Sequence, residues 1–162
     1  MYPLNVVLVN CNAHVTAQLR HELAKYQSLV EREYPGSEQA VHQLRSSAET
    51  MRVFMVQLCG DQDLEQIKQL HAAFADRPTL GLLAPEADPN LFSRAVRDGA
   101  TLVVFLPVNA RDLKTALQYI CRQYQMKFQA GHLIAVTCRK VTPSMRGISR
   151  SNWRVRRLPW LA

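Results

Sequence analysis

Few of the marks that usually announce a function are present in this chain, and each absence narrows the choice. No apolar run approaches the ~20 residues a membrane-spanning helix needs. The four cysteines, Cys11, Cys59, Cys121 and Cys138, include no Cys-x-x-Cys pair and have no histidine at ligand spacing. That excludes a zinc cluster and a disulfide framework and fits reduced thiols. The histidines His14, His21, His42, His71 and His132 are scattered, and no carboxylate or cysteine completes a set around His14 and His21, so no metal is expected. Glycine is sparse, 6 in 162 residues, and none lies in Asn10-Cys11-Asn12-Ala13, just after the first apolar run. A flavin or nucleotide would need phosphate donors there, so no cofactor is expected. Met1-Tyr2-Pro3-Leu4-Asn5 lacks the basic region of a secretory signal, and the expectation is a cytoplasmic protein.

Acidic residues are missing from one end only. The formal net charge is +7, yet through Cys138 thirteen basic residues face thirteen acidic ones. The whole excess lies in Arg139, Lys140, Arg146, Arg150, Arg154, Arg156 and Arg157. The main body therefore gives no electrostatic reason to expect nucleic acid, and any membrane association is expected to be indirect.

What is present is a regular alternation of two periods. Val6-Val7-Leu8-Val9 is a continuous apolar run, as a strand buried on both faces should be. Val15, Leu19 and Leu23 then recur every four residues, on one helical face. Ser28 to Glu33 is a weaker strand, and Pro35-Gly36-Ser37 turns into a helix carrying Ala40, Val41 and Leu44. Val53-Phe54-Met55-Val56 is the third strand, followed by a helix striped with Leu64, Ile67, Leu70 and Phe74, whose start carries Asp61 and Asp63 as helix-start charges. Thr79 to Leu83 is the fourth strand. Asp88-Pro89 opens the next helix, with Leu91, Phe92, Ala95 and Val96 expected to be buried, and Asp98-Gly99 closes it. Leu102 to Phe105 is the fifth strand. Asn109 caps a last helix striped with Leu113, Ala116, Leu117, Ile120 and Tyr124. Five such βα units predict an α/β fold: a doubly wound, flavodoxin-like (CheY-like) five-stranded parallel sheet of order 2-1-3-4-5.

Within that pattern, Pro78-Thr79-Leu80-Gly81-Leu82-Leu83-Ala84, Ala95-Val96-Arg97-Asp98-Gly99-Ala100, Leu106-Pro107-Val108 and Asp112-Leu113 resemble the second half of a response-regulator receiver. The resemblance spans about Leu4 to Tyr124 and implies a two-component signalling domain. Phosphoryl transfer to such a domain requires a carboxylate nucleophile, an acid pair for Mg²⁺, and a cation and hydroxyl for the phosphoryl oxygens. By the resemblance, Asn10 and Cys11 stand at the acid pair, Gln57 (or Leu58, one register later) at the acceptor, Leu83 at the hydroxyl, and Leu106 at the lysine. Val103 replaces the switch aromatic. An amide forms no acyl phosphate and leucine neutralises none, so no catalytic residue is assigned and the chain is not expected to be an enzyme. The alternative is a working phosphorelay receiver with an unusual acceptor. Cys11 and Cys59 should be neighbours at the carboxyl ends of strands one and three, as small buried thiols filling the space that carboxylates vacated.

A second resemblance follows the last helix. Gly131-His132-Leu133-Ile134-Ala135-Val136-Thr137-Cys138-Arg139-Lys140 is similar to the opening strand of ParA/MinD-type ATPases. A receiver-like domain before that strand is the arrangement of TadZ/CpaE proteins, which place Flp/Tad pilus machinery in the cell. Val141-Thr142-Pro143-Ser144-Met145 departs from that family, with no phosphate loop, so ATP binding is not carried over. The expected organisation is a receiver-like domain over 1–127, a linker and strand remnant over 128–140, and a basic tail over 141–162. The tail is read as the disordered end of a truncated or out-of-frame gene rather than a lipid- or nucleic-acid-binding segment.

The expected role is a phosphorylation-incompetent pseudo-receiver for protein–protein interaction in signalling or localisation. Its expected partners belong to the pilus or secretion machinery, with a polar location. Receivers commonly pair through helix four, strand five and helix five, which makes that face the candidate for a homodimer here. Arg94, Arg97, Asp98, Arg111, Asp112 and Lys114 would match charges across the axis.

Overall fold

The computed structural model describes residues 4–46 and 52–123. Met1–Arg122 forms one compact unit, separate from the residues that follow. Tyr124, the strand remnant and the basic tail lie outside the described residues.

Five strands, β1 (Asn5–Val9), β2 (Leu29–Tyr34), β3 (Arg52–Leu58), β4 (Thr79–Leu83) and β5 (Leu102–Phe105), form one sheet in the order β2-β1-β3-β4-β5. Every pairing is parallel, as βαβ crossovers require. The helices are α1 (Ala13–Ala24), α2 (Ser37–Leu44), α3 (Leu64–Ala73), α4 (Asn90–Arg97) and α5 (residues 110–123). The predicted sheet order is the observed one.

Strand periodicity divides the core in two. Val6 and Leu8 pack with Leu19 and Leu23 of α1 and with Leu113, Leu117 and Ile120 of α5. Val7 and Val9 point the other way, to Leu64, Ile67 and Leu70 of α3 and Leu91 and Ala95 of α4. Polar side chains set the helix starts. Asn12 Oδ1 accepts from the Val15 N–H at 2.9 Å, Asp88 Oδ1 from Asn90 N–H at 2.9 Å, and Asn109 Oδ1 from Arg111 N–H at 2.9 Å.

The Gly-Ala pair before β5 has a steric cause. Gly99 has φ +118°, and a β-carbon there would overlap the ring of His71 on α3. At the other edge, the β1–β2 register slips between Val6 and Val7. Glu31 sits at that irregularity and is forked by buried Arg52, Nε to Oε2 at 2.8 Å and a second nitrogen to Oε1 at 2.7 Å.

The α4 stripe is narrower than expected. Leu91 and Ala95 are buried, but Phe92 is 41% and Val96 46% exposed. Positions one residue past the buried pair turn about 100° around the helix, away from the sheet face and toward the β5 edge. Phe92 instead stacks on Phe105, centroids 6.0 Å apart and planes within 6°.

Candidate functional site

Open parallel sheets bind ligands beyond the carboxyl ends of their strands. Here that edge is formed by the loops after β1 and β3. Asn10 leaves β1 in the left-handed region at φ +56°, a conformation asparagine tolerates better than most residues. Its amide N–H is held by the Tyr34 carbonyl at 2.9 Å. The turn presents the Asn10 side chain to the β3 loop, where Nδ2 donates to Asp63 Oδ1 at 2.8 Å and lies 3.4 Å from the Gln57 carbonyl.

Gln57, 5% exposed, faces the same cleft. Its Oε1 accepts from the Asn12 N–H at 2.9 Å and its Nε2 lies 3.5 Å from Cys59 Sγ. Leu58 is fully buried among α3 and β4 side chains. Of the two registers open in the sequence, Gln57 is therefore the polar one at the cleft.

Asp63 completes the cleft. It is 7% exposed, its side chain caps no amide of α3, and Oδ2 accepts from the N–H groups of Cys59 at 2.7 Å and Gly60 at 3.0 Å. Asp63 does act at the helix start, taking the Gly60 N–H at the head of the 3-10 turn (Asp61–Asp63) that leads into α3, and through Oδ1 it is also an internal acceptor for Asn10. Asp61 is exposed and takes the Arg94 guanidinium at 2.7 Å. A buried acid and a polar residue with left-handed φ are visible only once β1 and β3 are adjacent.

The two leucine positions do not join the cleft. Leu83 packs with the α3 and α4 layer and Leu106 with the α1 and α5 layer, on opposite faces of the sheet. The Leu106 N–H bonds the Leu83 carbonyl at 2.8 Å. Apolar side chains at strand ends gain more by burial than by facing a polar cleft. The edge thus assembles Asn10, Cys11 and Gln57 with Asp63 and leaves Leu83 and Leu106 in the core.

Cys11 points its thiol toward the Val9 and Met55 carbonyls, 3.6 and 3.8 Å away. Burial is the main reason its pKa is pushed up to about 12. Cys59 is exposed, which corrects the expectation of two buried thiols, and its pKa is also raised, by desolvation and then by the Asp63 charge. Neither is the low-pKa thiolate that redox or nucleophilic chemistry uses.

A second region differs in kind. Around β5, Phe92, Val96, Phe105 and Tyr119 are exposed apolar or aromatic residues on the α4–β5–α5 face. A groove of ≈ 330 Å³ beside them is lined by β5 and by Asp112, Thr115, Ala116 and Tyr119. The six charged candidates are not equivalent. Arg94 pairs with Asp61, and Asp98 lies 3.9 Å from Lys68, both turned toward the α3 side. Arg97, Arg111, Asp112 and Lys114 are exposed and form no ion pair among the described residues.

No family model matches this chain, and no curated protein matches it. Solved structures do. The signal receiver domain of a modulated diguanylate cyclase from Desulfovibrio desulfuricans G20 is 21% identical, with 78% of this chain and 99% of that one covered at a TM-score of 0.62. A pilus assembly-related protein from Burkholderia pseudomallei K96243 is 19% identical, covering 76% of this chain and 95% of its own, with a TM-score of 0.62. A CheY-like protein, tadZ, from Pseudomonas aeruginosa PAO1 is 19% identical, covering 72% and 98%, with a TM-score of 0.57. The chain has the receiver fold, and its resemblance to these proteins is one of fold.

Proposed function

We propose that this receiver-fold chain is a phosphorylation-incompetent interaction domain that acts through its surface, not through its cleft. The observation that supports this most is chemical. The position of the acceptor holds Gln57, and the positions of the acid pair hold Asn10 and Cys11. The amides of Asn10 and Gln57 are committed to internal hydrogen bonds, and Asp63, the one carboxylate at the cleft among these groups, is already filled by three donors. The leucines at positions 83 and 106 supply neither hydroxyl nor cation. Incubation with acetyl phosphate and Mg²⁺ tests the reading: the intact mass should not change, and a stable phosphoryl adduct on Asp61 or Asp63 would overturn it.

The interaction surface in this reading is the α4–β5–α5 face, and its occupant is a second copy of the chain. Aromatic side chains at the centre with a polar rim are the usual composition of an interface. A two-fold axis through the Phe92–Phe105 stack would set Asp112 of each copy against Arg97 or Arg111 of the other, leaving the internally engaged Arg94 and Asp98 outside the pairing. Sedimentation should show a monomer–dimer equilibrium, and a protein monomeric at high micromolar concentration would refute the dimer. Service in pilus assembly, at a cell pole, rests on the likeness to the pilus assembly-related protein and to tadZ, and on the sequence resemblance of Gly131 to Lys140 to the opening strand of ParA/MinD-type ATPases. Loss of polar pilus machinery on deleting the gene is its test.

A further inference from the structure

The cleft is filled by the protein's own groups. Asp63 is a buried carboxylate with no cation beside it among the described residues: its three contacts there are Asn10 Nδ2 from the β1–α1 loop and the Cys59 and Gly60 amides from the β3–α3 loop. The Asn10–Asp63 bond spans 53 residues of sequence. A second bridge, Asn12 N–H to Gln57 Oε1, ties the same two loops 45 residues apart. A buried carboxylate is destabilising unless its oxygens are satisfied, and here it draws those donors from both loops at once.

We propose that Asp63 is an internal latch: an anion belonging to the chain itself holds the β1–α1 and β3–α3 loops in one closed arrangement and denies the cleft to an outside anion or cation. Such a latch makes the loop state a property of the sequence rather than of a signal. The inference concerns the same cleft as the proposed function and deepens it. It can fail separately, because a cleft without a latch could still refuse a phosphoryl group.

Amide hydrogen exchange on the full 162-residue chain tests it. Asp63→Ala should speed exchange about tenfold or more in residues 10–12 as well as in 57–61, the size expected when a bond to a charged group is lost. Glu65→Gln, which alters an exposed acid two residues further along the chain, should change neither. Acceleration confined to 57–61 would reduce Asp63 to a local brace of its own turn and overturn the latch, as would no acceleration. If Asp63→Ala unfolds, an exchanged pair decides. Asn10→Asp sets two carboxylates face to face and should lower the melting temperature. Asn10→Asp with Asp63→Asn restores one donor facing one acceptor and should recover most of the loss. Failure of the pair to recover would also overturn the proposal.

Discussion

The cleft at the carboxyl ends of β1 and β3 and the face around β5 use side chains in opposite ways. In the cleft the polar groups are buried and matched: Asp63 and Gln57 are under 10% exposed, and their main donors and acceptors lie within the protein. On the face the apolar groups are exposed, Phe105 at 60% and Tyr119 at 45%. A satisfied buried network resists change and rigidifies. An exposed aromatic cluster gains free energy only when something covers it. In the proposed reading the first region serves stability and the second association, and variants should separate the two.

Asp63→Ala should have the largest effect on stability, because it leaves Asn10 Nδ2 and two backbone N–H groups without their acceptor. A loss of about 3 kcal/mol is expected from the removal of a buried charged partner, read as a lower midpoint in urea, with dimerisation of the folded fraction unchanged. A midpoint within error of the parent's would break the comparison on its first side. Phe105→Asp should do the reverse. A charge at the centre of the aromatic patch should weaken self-association roughly a hundredfold while the urea midpoint stays nearly constant, since the side chain is already in water. An equal loss of both quantities would show that the face is part of the core.

The charged rim should matter less than its aromatic centre. Arg97→Glu with Arg111→Glu is expected to weaken association about tenfold or less, and less still at high salt. Sedimentation at two ionic strengths checks it, and an effect larger than that of Phe105→Asp would place the binding energy in the charges. The Arg52–Glu31 fork sharpens the stability side at the opposite edge of the sheet. The hydrogen bond from Arg52 holds the Glu31 pKa below its ordinary value. A depressed folded pKa contributes stability above the unfolded pKa, lost as pH falls through the folded one. Glu31→Gln should therefore flatten the acid limb of the pH–stability curve slightly, and an unchanged limb would rule the fork out as a contributor. The smallest signal is expected from the thiols: with both pKa values raised, Cys11 and Cys59 should alkylate at pH 8 more slowly than a free cysteine, and Cys11 the more slowly of the two.

Much of this molecule is a local matter. Runs such as Val6–Val9, the four-residue recurrence of Val15, Leu19 and Leu23, and the cap at Asn109 determine strands, helices and, through right-handed crossovers, the sheet order, because periodicity and capping act over a few residues. That Asn10, Cys11, Gln57, Leu83 and Leu106 bring no carboxylate, hydroxyl or cation to the positions the receiver resemblance assigns was equally legible, since a side chain carries the same groups in any fold. What needed tertiary structure were the decisions between neighbours. Asp63 became an internal acceptor because β1 brought Asn10 to it, and Cys59 stayed exposed because the β3 loop leaves the sheet there. Phe92 and Val96 were left exposed because α4 has β5, with its own exposed Phe105, on that side and no further layer among the described residues. An apolar stripe read along a sequence says which residues could be buried; only the packing of the other elements decides which of them find something to be buried against.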